Sequence, residues 1–401
     1  INVETIDLGN GYLRYVGTID ATGNVVNFAS AEFWETATDI AATITGDANG
    51  NNLLFASGAT LSGIAVMGAG DDVVTFNSGM LNGSVSMDGG DDQFNAGGGT
   101  TIGGTVDGGG QAGDTVTFID GMTTVTGTVM NFSSATINGT ATVNVQGGGL
   151  IDMPVLGTGT LQFGSAGSTA ITFMPTQTID GVNLQVLGDT LDTNGVSYGG
   201  TTPLRGLSVD AGALMLVRDG DTVDLRDNIV DANGFLDVAG TMRLEQTATL
   251  RADNYVAANP GTFIFEVNSD GVNTTLAGMD FAEGGIDFSA DTFQFVLAPA
   301  SDNLITDTVV FISAGGAVTA PGTLIGDSIL YDLTVNNASA NELQLVVQQL
   351  TTIADLTNSA NNESVANALL VDLLNSTDSG INALQNALLG AGSSQEFNDI
   401  L

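Results

Sequence analysis

A run of near-repeats between Gly50 and Val129 limits what this chain can fold into more than any other feature. Gly50-Asn51-Asn52-Leu53-Leu54-Phe55 is followed by Gly70-Asp71-Asp72-Val73-Val74, by Gly90-Asp91-Asp92-Gln93-Phe94 and by Gly113-Asp114-Thr115-Val116-Thr117-Phe118, at intervals of 20, 20 and 23 residues. A second register runs beside it, in the segments starting at Ser57, Ser78, Gly98 and Gly121. Each unit therefore holds two short β-prone runs between glycine-rich turns. Units of this size cannot bury an apolar face alone and must stack on their neighbours. Stacking with parallel, in-register strands advances about 4.8 Å per coil.

After residue 130 the period blurs, but alternation at period 2 persists in Val143 and Val145, Leu161 and Phe163, Val182, Leu184 and Val186, Val223 and Leu225, Phe263, Phe265 and Val267, and Phe293 and Phe295. Turn clusters such as Asp219-Gly220-Asp221 and Ala232-Asn233-Gly234 separate the runs. The expected fold is all-β: a right-handed parallel β-helix, or β-solenoid, with a C-terminal β-cap segment and a short helical tail. Coils of about 20 to 24 residues would make about 15 of them between residues 20 and 350.

Four regions are expected. Residues 1–43, with the aromatic cluster around Trp34, read as an N-terminal cap or first irregular coils, because an uncapped solenoid end exposes backbone and core. Residues 44–301 are the solenoid. Residues 302–350 have longer β-runs and close its C-terminal end. From 351 to 401 the apolar period switches to 3.6, with Val365, Leu369, Leu370 and Leu373 on one stripe, Ile381, Leu384 and Leu388 on another, and a capping box from Ser393 to Glu396.

Charge narrows the choice of partners. The formal net charge is -39, from 45 acidic residues against six arginines, with no Lys and no His. Such a field repels nucleic-acid phosphates and attracts divalent cations. Without His, Cys or Lys, neither a Ser-His-Asp nor a Cys-His site nor a Schiff base can be assembled, and zinc sites of the usual kind are excluded. A carboxylate pair of the glycosidase kind remains, with little specificity among 45 acids. No apolar run reaches 18 residues, so no transmembrane helix is expected.

The recurring aspartates are the candidate site. Asp71, Asp72, Asp91, Asp92 and Asp114 fall at one turn of successive units, where their carboxylates would stack about 5 Å apart. A calcium ion with oxygen ligands would relieve that repulsion, so calcium is the expected cofactor. The competing explanation is that Asp and Asn bond the backbone of the turn, which Asn51-Asn52 in the preceding unit favours. Five arginines between Arg205 and Arg251 are expected to pair locally with acids such as Asp219, Asp224 and Asp227.

Together the Gly-Ala-Gly-Asp-Asp-Val-Val-Thr-Phe unit at 68–76, the β-rich stretch from 302 and the helical pattern ending Phe397-Asn398-Asp399-Ile400-Leu401 resemble the passenger of a Gram-negative autotransporter (type V secretion). The resemblance implies export to the cell surface and a downstream outer-membrane β-barrel, with the chain either a processed mature passenger or a fragment of one. The particular role does not follow from the resemblance; the absence of His and of an insertion-like shift in composition leads us to expect a non-enzymatic structural or adhesive role, as adhesin or self-assembling surface layer or filament, with copies of itself or cell-surface and matrix glycans or proteins as partners. The alternative is a carboxylate-based polysaccharide hydrolase or lyase acting along the solenoid groove.

Overall fold

A computed structural model describes the backbone of residues 2–9, 12–18, 25–27, 31–35 and 39–349, apart from residues 42, 47, 56–57, 167, 169–170, 227–233, 257–258, 270–272, 298–306 and 327–330. Beyond 349 it describes residues 357, 362, 365–366, 384, 387–388 and 394–401, and side chains are described from residue 39 onward. The chain is nearly all β, a solenoid of stacked parallel coils numbering about ten. It divides into two units, Ile1–Ala213 and Leu214–Leu401.

In the first unit the coils between Asn52 and Asp152 each contribute a strand to each of three sheets, paired there in parallel. One contains Asn52–Phe55, Val73–Phe76, Gln93–Ala96, Thr115–Phe118 and Ser134–Ile137; a second contains Ala59–Leu61, Gly79–Leu81, Thr100–Ile102 and Gly121–Val125; a third contains Ile64–Val66, Ser84–Ser86, Thr105–Asp107 and Thr128–Met130. The glycine-rich segments between the strands make the corners. Alternation sends every second residue inward, so Leu53, Val74, Phe94 and Val116 form one buried column and Phe55, Phe76, Ala96 and Phe118 another. Phe55 and Phe76 stack with ring centroids 4.2 Å apart, and where the column narrows to Ala96 the neighbouring Phe94 ring approaches Phe76 at 5.9 Å. Large beside small keeps the interior filled.

Glycine is required where successive corners touch. Gly90 has φ +146, and a Cβ there would lie 2.1 Å from the carbonyl oxygen of Gly70 in the coil before. Only a residue without a side chain fits.

The N-terminal strands depart from the parallel pattern. Asn2–Gly9 and Tyr12–Thr18 form an antiparallel hairpin, Tyr12–Thr18 then pairs in parallel with Ala31–Glu35, and Ala31–Glu35 with Asn52–Phe55. Trp34 stands opposite Tyr15 and Phe55 in register. Its side chain lies outside the described residues.

In the second unit Thr241–Leu244, Thr262–Ser269, Thr292–Leu297 and Thr323–Ile325 stack in one sheet, and Thr222–Asp224, Thr249–Ala252 and Gly278–Phe281 in another. Phe263, Phe265, Phe288, Phe293, Phe295 and Phe311 fill the interior with mostly edge-to-face contacts. The strand Asp307–Ala314 joins this second sheet in parallel, then pairs antiparallel with Glu342–Gln349, which pairs antiparallel with Tyr331–Ser339.

All the alternating apolar residues named from the sequence are buried, from Val143 to Phe295. The coil number is lower than the 15 expected. Register partners Leu214, Thr241, Thr262, Thr292 and Thr323 are 27, 21, 30 and 31 residues apart, three of the four intervals longer than the 20 to 22 between Asn52, Val73, Gln93 and Thr115. Among the described C-terminal residues one continuous helix is present, Ser394–Ile400, with Phe397 buried. Of the expected stripes only Val365, Leu384 and Leu388 lie among the described residues; Leu369, Leu370, Leu373, Ile381 and Ser393 lie outside them.

Candidate functional site

The five recurring aspartates separate into two columns. Val73 pairs with Asn52 and Gln93, and Gln93 with Thr115, which places Asn51, Asp72, Asp92 and Asp114 one above another at the residue before the strand. All four are buried, the three aspartates completely. Asp71 and Asp91 form the adjacent column, exposed to solvent, with Gly50 and Gly113 at the corresponding positions beside them. The alignment of Gly50 with Gly70 and of Gly113 with Gly90 in the sequence is therefore off by one residue. The coils differ in length by a residue at the corner, and the register follows the strands.

Each buried carboxylate reaches back one coil. The backbone N–H of Asn51 donates to Oδ1 of Asp72 at 2.6 Å, that of Asp72 to Oδ1 of Asp92 at 2.8 Å, and that of Asp92 to Oδ1 of Asp114 at 2.9 Å. Oδ2 of Asp114 accepts the N–H of Gln111 at 2.6 Å. The same staple recurs at Asp189, which accepts the N–H of Ile171 at 3.1 Å, and in the second unit at Asp291, which accepts that of Gly261 at 2.8 Å. The N–H of the residue just before the strand would otherwise be buried at the corner without a partner, a loss worth about 1–3 kcal/mol. The carboxylate thus replaces the backbone acceptor that a corner cannot supply. This supports the backbone-bonding explanation, with one difference: the recurring bond runs between coils, and only Asp114 adds one within the turn.

Sequence reading missed Asp189 and Asp291, although a signal was present. An Asp-Thr pair entering a strand occurs at Asp114-Thr115, Asp189-Thr190 and Asp291-Thr292.

Stacking these acids has an electrostatic consequence. Burial, and then the charges of Asp72, Asp114 and Asp71, push the Asp92 carboxyl up to about 6, against the lowering effect of the N–H from Asp72. Its Oδ2 is buried without a hydrogen-bond partner. Burial likewise raises Asp291, which also accepts the Tyr255 hydroxyl at 2.8 Å, and the same contact with burial raises Tyr255.

For calcium, the two columns differ in what they offer. The buried acids spend Oδ1 on backbone, and among the described residues no three acidic side chains converge as a metal group. The exposed pair is the part open to an ion, with Oδ1 of Asp71 accepting the N–H of Asp91 at 3.0 Å.

Four of the five arginines between Arg205 and Arg251 form ion pairs with acids, and among the described residues none is shown for Arg205. Arg226 reaches Asp280 at 2.9 Å and Asp224 at 3.5 Å, Arg251 reaches Asp224 at 3.7 Å, Arg218 reaches Glu245 at 3.0 Å and Arg243 reaches Glu266 at 3.4 Å. Asp224 is a partner as expected, whereas Asp219 accepts the N–H of Thr247 and Asp227 lies outside the described residues. Most of these partners are a coil away, so strand register selected them. No protein-family model matches the chain, and no curated protein matches it in sequence.

Proposed function

We propose that this chain is an exported cell-surface protein of the autotransporter-passenger kind, with a structural or adhesive role and no catalytic one. It packs flat strand faces against copies of itself, with divalent cations between the acidic corners. What supports this reading is a stretch of one sheet face that carries no charge. On one face of the first unit the outward columns run Thr75, Asn95, Thr117 and Thr136, and Val73, Gln93, Thr115 and Ser134, with no charged residue in either. The exposed carboxylates Asp71, Asp88, Asp91 and Asp120 sit at corners, while Asp39 and Asp152 lie on strands of the other two sheets. Close approach of two faces then costs little desolvation of charge, while corner repulsion acts over a Debye length of about 8–10 Å and is relieved by bridging cations.

Electron microscopy of the purified protein with calcium and with chelator tests the reading. Ordered arrays or filaments that need calcium are expected. Isolated particles under both conditions remove self-assembly, and cleavage of a polysaccharide that is lost on Asp91→Asn replaces the reading with the carboxylate-enzyme alternative.

A further inference from the structure

Among the described residues, one inward column of the first unit ends without a covering strand. Ile44, Ala65, Val85, Val106 and Val129 succeed one another in register and are all fully buried, but the sixth member, Ile151, is partly exposed. The cause is topological. Its strand, Leu150–Asp152, is the last of its sheet, and the later strands Thr172–Phe173 and Thr190–Asp192 pair with each other in a different sheet.

The place of the missing strand is a cavity of about 220 Å³. Ile151, Leu161, Val155 and Phe173 line it, with Phe163 beside Phe173 at 5.4 Å between ring centroids. Leu150 and Met174, 37% and 45% exposed, stand at its rim. In a chain of net charge -39 no lining residue is charged, and the polar side chains are only Thr172 and Gln177.

We propose that this cavity binds the hydrocarbon tail of a neutral amphiphile, an alkyl or acyl chain of medium length whose polar end stays at the mouth. Its volume exceeds the about 150 Å³ of an engineered apolar cavity that takes up benzene. A peptide strand adding to the edge of Leu150–Asp152 is the competing occupant, and the displacement experiment below separates the two. An anionic tail is disfavoured by the field of the protein. This site is independent of the assembly proposed above.

Titration of the full chain with N-phenyl-1-naphthylamine, a neutral dye that fluoresces in apolar surroundings, tests the proposal, with 1-octanol and sodium octanoate as competitors. Saturable binding to one site per chain is expected, displaced by 1-octanol at concentrations roughly tenfold below those of octanoate, whose charge the acidic protein repels. Ile151→Trp grows into the cavity from a partly exposed position and should weaken the dye roughly tenfold. Met174→Glu changes only the exposed rim and should weaken it in the same direction, with the far-ultraviolet circular dichroism unchanged. Absence of saturable binding, binding unaltered in both variants, or displacement by a β-prone peptide but not by 1-octanol would each overturn the proposal.

Discussion

The backbone N–H of Asp92 donates to Oδ1 of Asp114 across 22 residues of sequence, at 2.9 Å, with both side chains completely buried. This bond, repeated coil after coil, makes carboxylates part of the solenoid's backbone hydrogen bonding. It also sets up opposing demands, since the geometry wants an acceptor at each level and the electrostatics resist a charge there.

Replacing Asp92 separates the two demands. Asp92→Ala leaves the buried N–H of Asp72 without its acceptor and should cost about 1–3 kcal/mol. Asp92→Asn keeps an oxygen acceptor and removes the charge, so at neutral pH it should equal or exceed the parent in stability. Urea midpoints for the two variants check this, and equal losses would refute it.

The pH dependence follows from the raised Asp92 carboxyl, at about 6 in the folded chain against 3.8 ordinarily. Between those values the folded state holds more protons than the unfolded one, so this group's contribution falls as pH rises and levels off above about 6. Asp291, also raised, acts in the same direction, while the lowered Asp287 and Asp307 act oppositely as pH falls. Melting temperatures from pH 4 to 7 should show a smaller decline with rising pH in Asp92→Asn than in the parent. Parallel curves would exclude Asp92 as a source of the dependence.

Adjacent glycines should behave differently. Gly90→Ala places a Cβ against the carbonyl of Gly70 in a positive-φ conformation and should cost about 2 kcal/mol or more. Gly89→Ala meets nothing within 4 Å and should stay within about 0.5 kcal/mol of the parent. Thermal denaturation of the pair distinguishes corner contact from a general effect of lost glycine.

In the second unit, Tyr255→Phe removes the hydroxyl that donates to the buried Asp291. A loss of about 1–3 kcal/mol is expected. It should shrink at low pH, where a protonated Asp291 makes less demand for a donor.

Much of the fold was legible. The alternation from Val143 to Phe295 marked core residues even where the 20-residue period had faded, because inward and outward faces alternate strictly along any strand. The Asp pairs were visible as a recurring corner, but which aspartate of each pair is buried was not. A corner one residue longer moves Asn51 opposite Asp72 instead of Asp71, and nothing local marks that insertion.

The sequence by itself determined the stacked-coil class, the buried stripes and a recurring Asp or Asn corner in the early turns. These depend on period and alternation, which are local properties of the chain. Only the tertiary structure decided that Asp72, Asp92 and Asp114 bond the coil before them, that Arg226 finds Asp280, 54 residues away, and that Ile151 is left uncovered. The reason is that each depends on strand register and on where a sheet stops, and these are set by packing between coils.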